Sequence, residues 1–502
     1  MENDNSSDSI NSNKEEEYLE SSSHTNQSCS KSQKKDQHYR LNGRPPLKTI
    51  FYLSFGPIIS QISTSFFGIL DTMWISRCLG PQAMAAISTF TSFDNIGRSI
   101  GFFLLVSGSS QISFLYGSGN DEEASQVLCD IFRLSFVFAS IIPAILIPCV
   151  KKAANWFGAP DDTVNLGFPY ICITLGCTIA NSIYQACGGF LQGEGRTLLF
   201  GLANLGSCIL NGIILDPLFL YKTNLGVKGA AVATVLADSI PAICLIACYF
   251  SGVFSVKPKI NQLLKPISKR TLVALKVGLS ALVSFLSMCI PGIFFTYFIG
   301  KSCITDEEYN NSMAGCSISI RFSMFFMSVI MAINNGYLPS ASYAFAANNH
   351  KRWFLLTVHA SWICLTWSII LTIISLSCPK QIASIFSNDE NVRVISAKML
   401  KIQNAVGVIT WVRNIAQSIL QSLQNGIKAA ILSLSTQLFS IILFEVILFY
   451  TDRHNPIRLL WAYPLSFAFG FIIAIFFLIS PLKQIYSNYK KIKIANKTNE
   501  ID

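Results

Sequence analysis

What most constrains this chain is a series of apolar segments, mostly 20–30 residues long, set between short polar breaks from about residue 49 to residue 480. A membrane span needs about 20 such residues. In lipid each must be helical, because hydrocarbon offers no partner to an unpaired backbone group. Composition agrees: of 502 residues, 51% are hydrophobic and only 13% are charged, against about 25% charged in a soluble domain. The expected fold class is an all-α polytopic membrane protein.

The breaks delimit twelve spans, at roughly 49–76, 82–115, 123–149, 163–190, 196–220, 227–250, 271–299, 313–346, 352–378, 392–421, 428–450 and 458–480. Residues 1–47 are polar and rich in Ser, Asn, Lys and Glu, a composition that cannot bury enough surface to fold, and they lack the apolar core of a signal peptide. This predicts a disordered N-tail (1–47), an N-lobe of six spans (48–250), a basic linker (251–270), a C-lobe of six spans (271–480) and a basic C-tail (481–502). The linker SVKPKINQLLKPISKR holds five Lys or Arg and two Pro. The net charge of +10 sits largely in tails and loops, the membrane-orientation signal rather than a nucleic-acid footprint. Lys34, Lys35, Arg40, Arg44 and Lys48 before the first span, with Lys483, Lys490, Lys491, Lys493 and Lys497 after the last, favour cytoplasmic termini. The fifteen Cys form no CxxC or metal-spaced set, so no metal is expected. Cys303 and Cys316 flank a polar loop and fit either free thiols or a disulfide on an oxidising face.

An internal repeat runs through the spans. YGSGN ending at Asn120 matches FAANN ending at Asn349, WFGAPDDTV matches IFSNDENV, and Leu191-Gln192-Gly193 matches Leu420-Gln421-Ser422, all at an offset of 229. The first spans of the halves, Gly56 in LSFGPII and Gly278 in KVGLSAL, align at 222. Equivalent spans therefore run the same way, a parallel repeat that sets a substrate cavity between two lobes.

Ionisable groups at membrane depth are costly and mark functional positions. Here they are Asp71, Asp94, Arg98, Asp216 and Asp238 in the first half, and Arg321, His359, Arg413 and Glu445 in the second. Asp94 and Arg98, spaced i,i+4, share a helical face and form a self-neutralising pair. Asp71 and Asp216 lack a local partner and fit proton acceptors, although Asp216 precedes Pro217 and also fits a helix end. Arg321 and Arg413 fit partners for Glu445 or for an anionic substrate, and equally a structural pairing. His359 reads as a helix-packing hydrogen-bond partner. Pro57, mid-span in SFGPIIS, removes a backbone bond and supplies a hinge in the first helix.

These motifs have a family likeness. LDTMWISRCLGPQAMAAIS from Leu70, YGSGNDEEA, LQGEGRTLLF, LDPLFLY and GVKGAAVAT resemble the N-terminal lobe of the multidrug and toxic compound extrusion (MATE) family. NNGYLPSASYAFAANNHKR, IFSNDENV and LQSLQNGIKAAILSLSTQ resemble its C-terminal lobe. The resemblance spans roughly 48–480 and implies a V-shaped bundle of twelve helices in two lobes. It implies a secondary antiporter, not an enzyme, that exports drug-like organic compounds, often cations, against protons or sodium. No cofactor beyond the coupling ion, H+ or Na+, is implied, and a monomer suffices.

By motif, the family's cation-coupling residues fall on Asp71, Asn181, Asn211, Asp216 and Thr234. Phe66, Phe67, Trp74 and Tyr184 fit a permissive substrate cavity, as do Arg321, Arg413 and Glu445, while ordinary helix packing explains the aromatics equally well. Two departures stand out. Asn211 and Asp216 are five residues apart where the family has four, which turns Asn211 around its helix. SLSTQ carries Thr436 where the family has Arg. Span seven also lacks the Glu on which animal and plant members rely, which favours coupling in the N-lobe. The competing readings are a flippase for lipid-linked sugars on a related fold, a channel, and a membrane-embedded enzyme, for which no HExxH, paired His motif or GxSxG is present. The plasma membrane or a vesicular membrane is expected.

Overall fold

The computed structural model describes residues 39–498 apart from 157–160, 304, 387–389 and 454, and every regular element among them is helical. The first lobe contains α1 (Pro46–Leu79), α2 (Thr89–Gly117), α3 (Asp121–Asn155), α4 (Asp161–Gly176, then Thr178–Gly193), α5 (Thr197–Tyr221) and α6 (Val227–Phe250). The second contains α7 (Lys269–Ser302), α8 (Ile318–Ala346), α9 (His350–Ser377), α10 (Glu390–Gln403, then Thr410–Ser422), α11 (Gly426–Thr451) and α12 (Pro456–Lys483). Among the described residues, ten of these are long and apolar enough to cross a membrane, and the bent α4, whose halves meet at 43°, makes eleven. α10 occupies the remaining expected position. It is interrupted at 404–409, partly by a short 3-10 turn, which leaves helices of 14 and 13 residues, each too short to cross a membrane alone.

The repeat is written into the backbone. Gly119 and Asn348 both have positive φ, as do Gly195 and Gln424, and each pair keeps the offset of 229. Each closes a helix with the same bond to the carbonyl five residues back: Asn120 to Leu115 and Asn349 to Ala344, both 2.9 Å, then Arg196 to Leu191 at 2.7 Å and Asn425 to Leu420 at 2.9 Å. This left-handed closure satisfies carbonyls that the helix end leaves free. The breaks in α4, at Cys177, and in α10, at 404–409, likewise fall at corresponding positions. The stretches WFGAPDDTV and IFSNDENV lie partly outside the described residues.

The backbone stays helical from Pro46 to Gly117. Even so, Asp71 lies within electrostatic reach of Asp94 and Arg98, which a straight helix would hold roughly 35 Å apart. The chain therefore folds back between α1 and α2. Where α1 crosses α5, a Cβ on Gly201 would come within 2.3 Å of the Gly56 carbonyl oxygen. The α7–α11 crossing repeats this, with Gly426 against Lys276 and Val277. Pro57 is buried at the first of these crossings.

The lobes meet near the linker end. Gln424 donates to the Ser110 hydroxyl at 3.0 Å, Ser110 and Ser342 stand 3.5 Å apart, and Phe102 stacks on Phe285 at 5.0 Å. One apolar core runs across both lobes here, from Leu53 and Leu104 to Val277 and Leu338. Farther from that end, Phe66 on α1 and Met324 and Phe325 on α8 are exposed.

Two boundaries, those of the tails, differ from the ones read in the sequence, and the linker falls where it was read. Of the tail expected to be disordered, residues 1–38 lie outside the described residues, but Tyr39–Gly43 forms a π-turn, Leu41 is fully buried and α1 begins at Pro46. This segment is held because Arg352, on α9, donates to the Leu41 carbonyl (2.9 Å), the Arg44 carbonyl (2.7 Å) and the Thr49 hydroxyl (3.0 Å). The linker is pinned rather than loose. Glu194 accepts from the Ser255 and Val256 amides, both at 3.1 Å, and Asp130 accepts from the Ser268 amide (2.8 Å) and the Thr271 hydroxyl (2.7 Å). At the other end the helical backbone runs on to Thr498, so the segment from 481 begins inside a helix.

Candidate functional site

The polar residues of the N-lobe gather into two adjoining groups. In the first, Asp216 is fully buried and its Oδ2 accepts from the Asn211 amide at 2.9 Å. The spacing of five, which in an α-helix would turn the two about 140° apart, is absorbed by a π-turn over Leu210–Leu215. Its bonds run from i to i+5, and the Asp216 amide duly donates to the Asn211 carbonyl. The displacement of Asn211 expected from the sequence is thereby corrected. The same device recurs 224 residues later over Leu434–Phe439, where the Ser440 amide donates to the Ser435 carbonyl. Asp71 lies within electrostatic reach of Asp216. One oxygen of each carboxylate is buried without a hydrogen-bond partner.

In the second group Arg98 is shared. Its Nε donates to Asp94 at 2.7 Å and its Nη1 stands 3.7 Å from Asp238, while Asn181 donates to the same Asp238 carboxylate at 3.1 Å. The i,i+4 pair thus exists as expected but extends to a third helix. These residues, with Thr174, Thr178 and Thr234, line a cavity of about 20 Å³. That is room for about one water molecule and far below the roughly 300 Å³ of a drug-sized pocket, so the space suits an ion, a water or a proton path. The Thr234 hydroxyl is buried and unpartnered. Tyr170 on α4, which sequence reasoning missed, is buried within electrostatic reach of Asp71, Asp94, Arg98 and Asp216 and so joins the two groups. Nothing about a tyrosine in an apolar span marks it in advance. Asp238 was visible as an intramembrane acid, without its role as the meeting point of Arg98 and Asn181.

The five residues assigned by motif therefore divide. Asp71, Asn211 and Asp216 fall in the first group, and Asn181 and Thr234 in the second. The expected cavity residues fare differently. Phe66 is 56% exposed. Phe67 packs against Leu215, Ala233 and Ala237. The Trp74 indole donates to the Gly212 carbonyl at 2.7 Å, tying α1 to α5, and Tyr184 is buried in the main core. The Arg321 side chain lies outside the described residues. Arg413 donates to Asn414 at 3.1 Å, and Glu445 is fully buried with both oxygens unpartnered, so the expected Arg413–Glu445 pairing is not formed. His359 accepts from the Trp362 indole at 3.0 Å, an exposed contact within α9. Cys303 and Cys316 are not joined by a disulfide.

Two lobes of membrane-spanning helices related by a parallel repeat, with titratable clusters buried inside one of them, define a helical membrane transporter rather than an enzyme. The MatE family model matches residues 57–218 and 280–446, and the chain belongs to that family of multidrug and toxic compound extrusion transporters. It is 23% identical over 408 residues to the multidrug export protein MepA of Staphylococcus haemolyticus (strain JCSC1435), covering 80% of this chain and 87% of the relative. A crystal structure of MATE in complex with MaL6 superposes with a TM-score of 0.80 at 22% identity, covering 90% of this chain and 99% of that one. The outward-facing conformation of a multidrug resistance MATE family transporter of the MOP superfamily superposes at 0.79, also at 22% identity, covering 89% and 97%.

Proposed function

We propose that this protein is a secondary antiporter that exports drug-like organic compounds, often cationic, in exchange for protons or sodium ions. The observation that carries the proposal is the pair Asp71 and Asp216, on neighbouring helices, each with a buried oxygen that no protein group satisfies. Such groups are costly as anions in a low-dielectric interior and gain from binding a cation. Asp71 rides on α1 beside Arg98, which is already shared between Asp94 and Asp238. Neutralising Asp71 removes one of the charges that hold α1 against α2. The helix is then free to bend at Pro57, where α1 crosses α5, and to change the access of the cleft between the lobes. The lobe contacts near the linker end favour a closed linker side in this conformation. Export by the MepA relatives supports the direction of transport, and the basic flanks of the first and last spans support cytoplasmic termini. A plasma or vesicular membrane and a functional monomer complete the reading.

The test is accumulation of a fluorescent organic cation in inside-out vesicles holding the purified protein, under an imposed proton or sodium gradient. Gradient-driven uptake that is lost in Asp71→Asn, with expression intact, is the expected result and identifies the ion. Normal uptake by that variant would sink the mechanism. Absence of uptake with either ion would turn attention to lipid flipping.

A further inference from the structure

Glu445, on α11 in the other lobe, is unlike every carboxylate used above. It is fully buried, and among the described residues neither oxygen has a hydrogen-bond partner or an ion pair. Its neighbours on α11, Val446, Leu448 and Phe449, pack into an apolar cluster. α7 contributes Phe295, Phe298 and Ile299, the turn before α12 contributes Leu459 and Leu460, and α10 contributes Met399. Among the described residues, the titratable groups within electrostatic reach are the Cys316 thiol, on the helix leading into α8, and the Tyr463 phenol on α12; the Arg321 side chain, on α8, lies outside them. Arg458 of the neighbouring turn is engaged with Asp452 at 3.6 Å, and Arg413 is turned to Asn414.

We propose that Glu445 is a second, C-lobe proton-binding site of the transport cycle, occupied in this conformation. No described group offsets the desolvation of an ionised carboxylate here, so the form this site holds is the neutral acid. The ligand is a proton and not a metal cation, because a hard cation demands a shell of several oxygens. Among the described residues, the one oxygen-bearing group shown within electrostatic reach of the carboxyl is the Tyr463 phenol, short of such a shell. The position also has a counterpart in the repeat. In the N-lobe the carboxylate Asp216 directly follows the π-turn at Leu210–Leu215, and in the C-lobe that place is held by Ser440 after Leu434–Phe439. Glu445 stands five residues farther on, about 7.5 Å along the helix. Each lobe thus carries one deep acid on the helix that contains its π-turn. When the lobes rearrange and water reaches α11, the proton leaves to bulk, and the carboxylate must recover one before the bundle closes again.

This inference rests on the antiport reading, and the experiment separates the two. The full-length protein in proteoliposomes is titrated by infrared difference spectroscopy, and protons moved per substrate are counted in the wild type and in Glu445→Gln. The expected result is a carboxylic-acid carbonyl band at neutral pH that is missing from Glu445→Gln, together with a lower proton-to-substrate ratio in that variant. Glu445→Leu, which suits the apolar surroundings, should melt at or above the wild-type temperature and show the same lowered ratio, which removes misfolding as the cause. An unchanged spectrum, or an unchanged ratio in both variants, overturns the proposal. If the wild type exchanges substrate for sodium and moves no protons, the Glu445 proposal is overturned while the antiport reading stands; if it exchanges substrate for neither ion, it is the antiport reading that fails.

Discussion

Arg98 and Asn211 decide how the N-lobe acids are held. Arg98 answers to two carboxylates at once, so Arg98→Gln takes the cation from the buried Asp238 and the half-buried Asp94. Removing one partner of a buried charge pair costs about 3–5 kcal/mol. A large drop in melting temperature in detergent is expected, relieved when Asp238→Asn is added. An unchanged melt would mean that the shared pair is idle. Asn211→Ala removes the donor to Asp216, a loss of about 1–3 kcal/mol for an acceptor left unpaired in the interior. The expected signature is weakened ion-driven uptake that rises again when the ion concentration is raised. Tyr170 touches neither group through a hydrogen bond given by the structure, so Tyr170→Phe should retain the fold, and its effect, if Tyr170 links the groups electrostatically, will be seen in the pH profile of uptake.

At the scale of elements, the π-turn in α5 reconciles an extra residue with a preserved contact. Ile213 is 64% exposed within that turn. Deleting it should let the segment relax to an α-helix with Asn211 and Asp216 four apart and still facing one another, so transport should persist. Deleting Leu205, exposed on the same helix but outside the π-turn, should abolish transport, because no spare residue absorbs the shift. The pair of deletions, compared by uptake and melting, checks whether the turn is a register device. The α1–α5 crossing depends on bare backbone. Gly201→Val would drive a side chain into the Gly56 carbonyl and cost about 1–3 kcal/mol or more by overpacking, read as a lower melting temperature.

At the scale of the molecule, closure of the linker side involves more than the lobes. Arg352 of the C-lobe grips the chain just before α1 through three oxygens, and Glu194 and Asp130 of the N-lobe grip the linker. Hydrogen bonds from a charged group contribute about 1.5–3 kcal/mol each, enough to bias a two-state equilibrium. Arg352→Ala should therefore open the linker side more often. A cysteine at Ser342→Cys, fully buried between the lobes, should then react several-fold faster with a water-soluble maleimide, above the background of the native thiols. Equal labelling with and without Arg352 would dismiss the strap as a determinant of closure.

Much of this protein was legible in its sequence, because lipid is an exacting solvent. Segment length and polarity alone dictate helices, and the offset of 229 between Asn120 and Asn349 places the turns that recur in the backbone at Gly119 and Asn348. Asp71, Asp94, Asp216 and Glu445 were conspicuous because charge at membrane depth needs a reason. What sequence could not supply is partnership between helices. The reach of Arg98 to Asp238, the placing of Asn181 on that acid, the isolation of Glu445 from Arg413 and the burial of Tyr170 among the acids all arise where separate helices meet. The π-turn belongs with them: a spacing of five reads as a displaced Asn211 until the packing of α5 against α1 and α6 selects the backbone that turns it inward. Periodicity and polarity are properties of a segment and are written locally, whereas the pairing of charges depends on which faces the tertiary fold brings together.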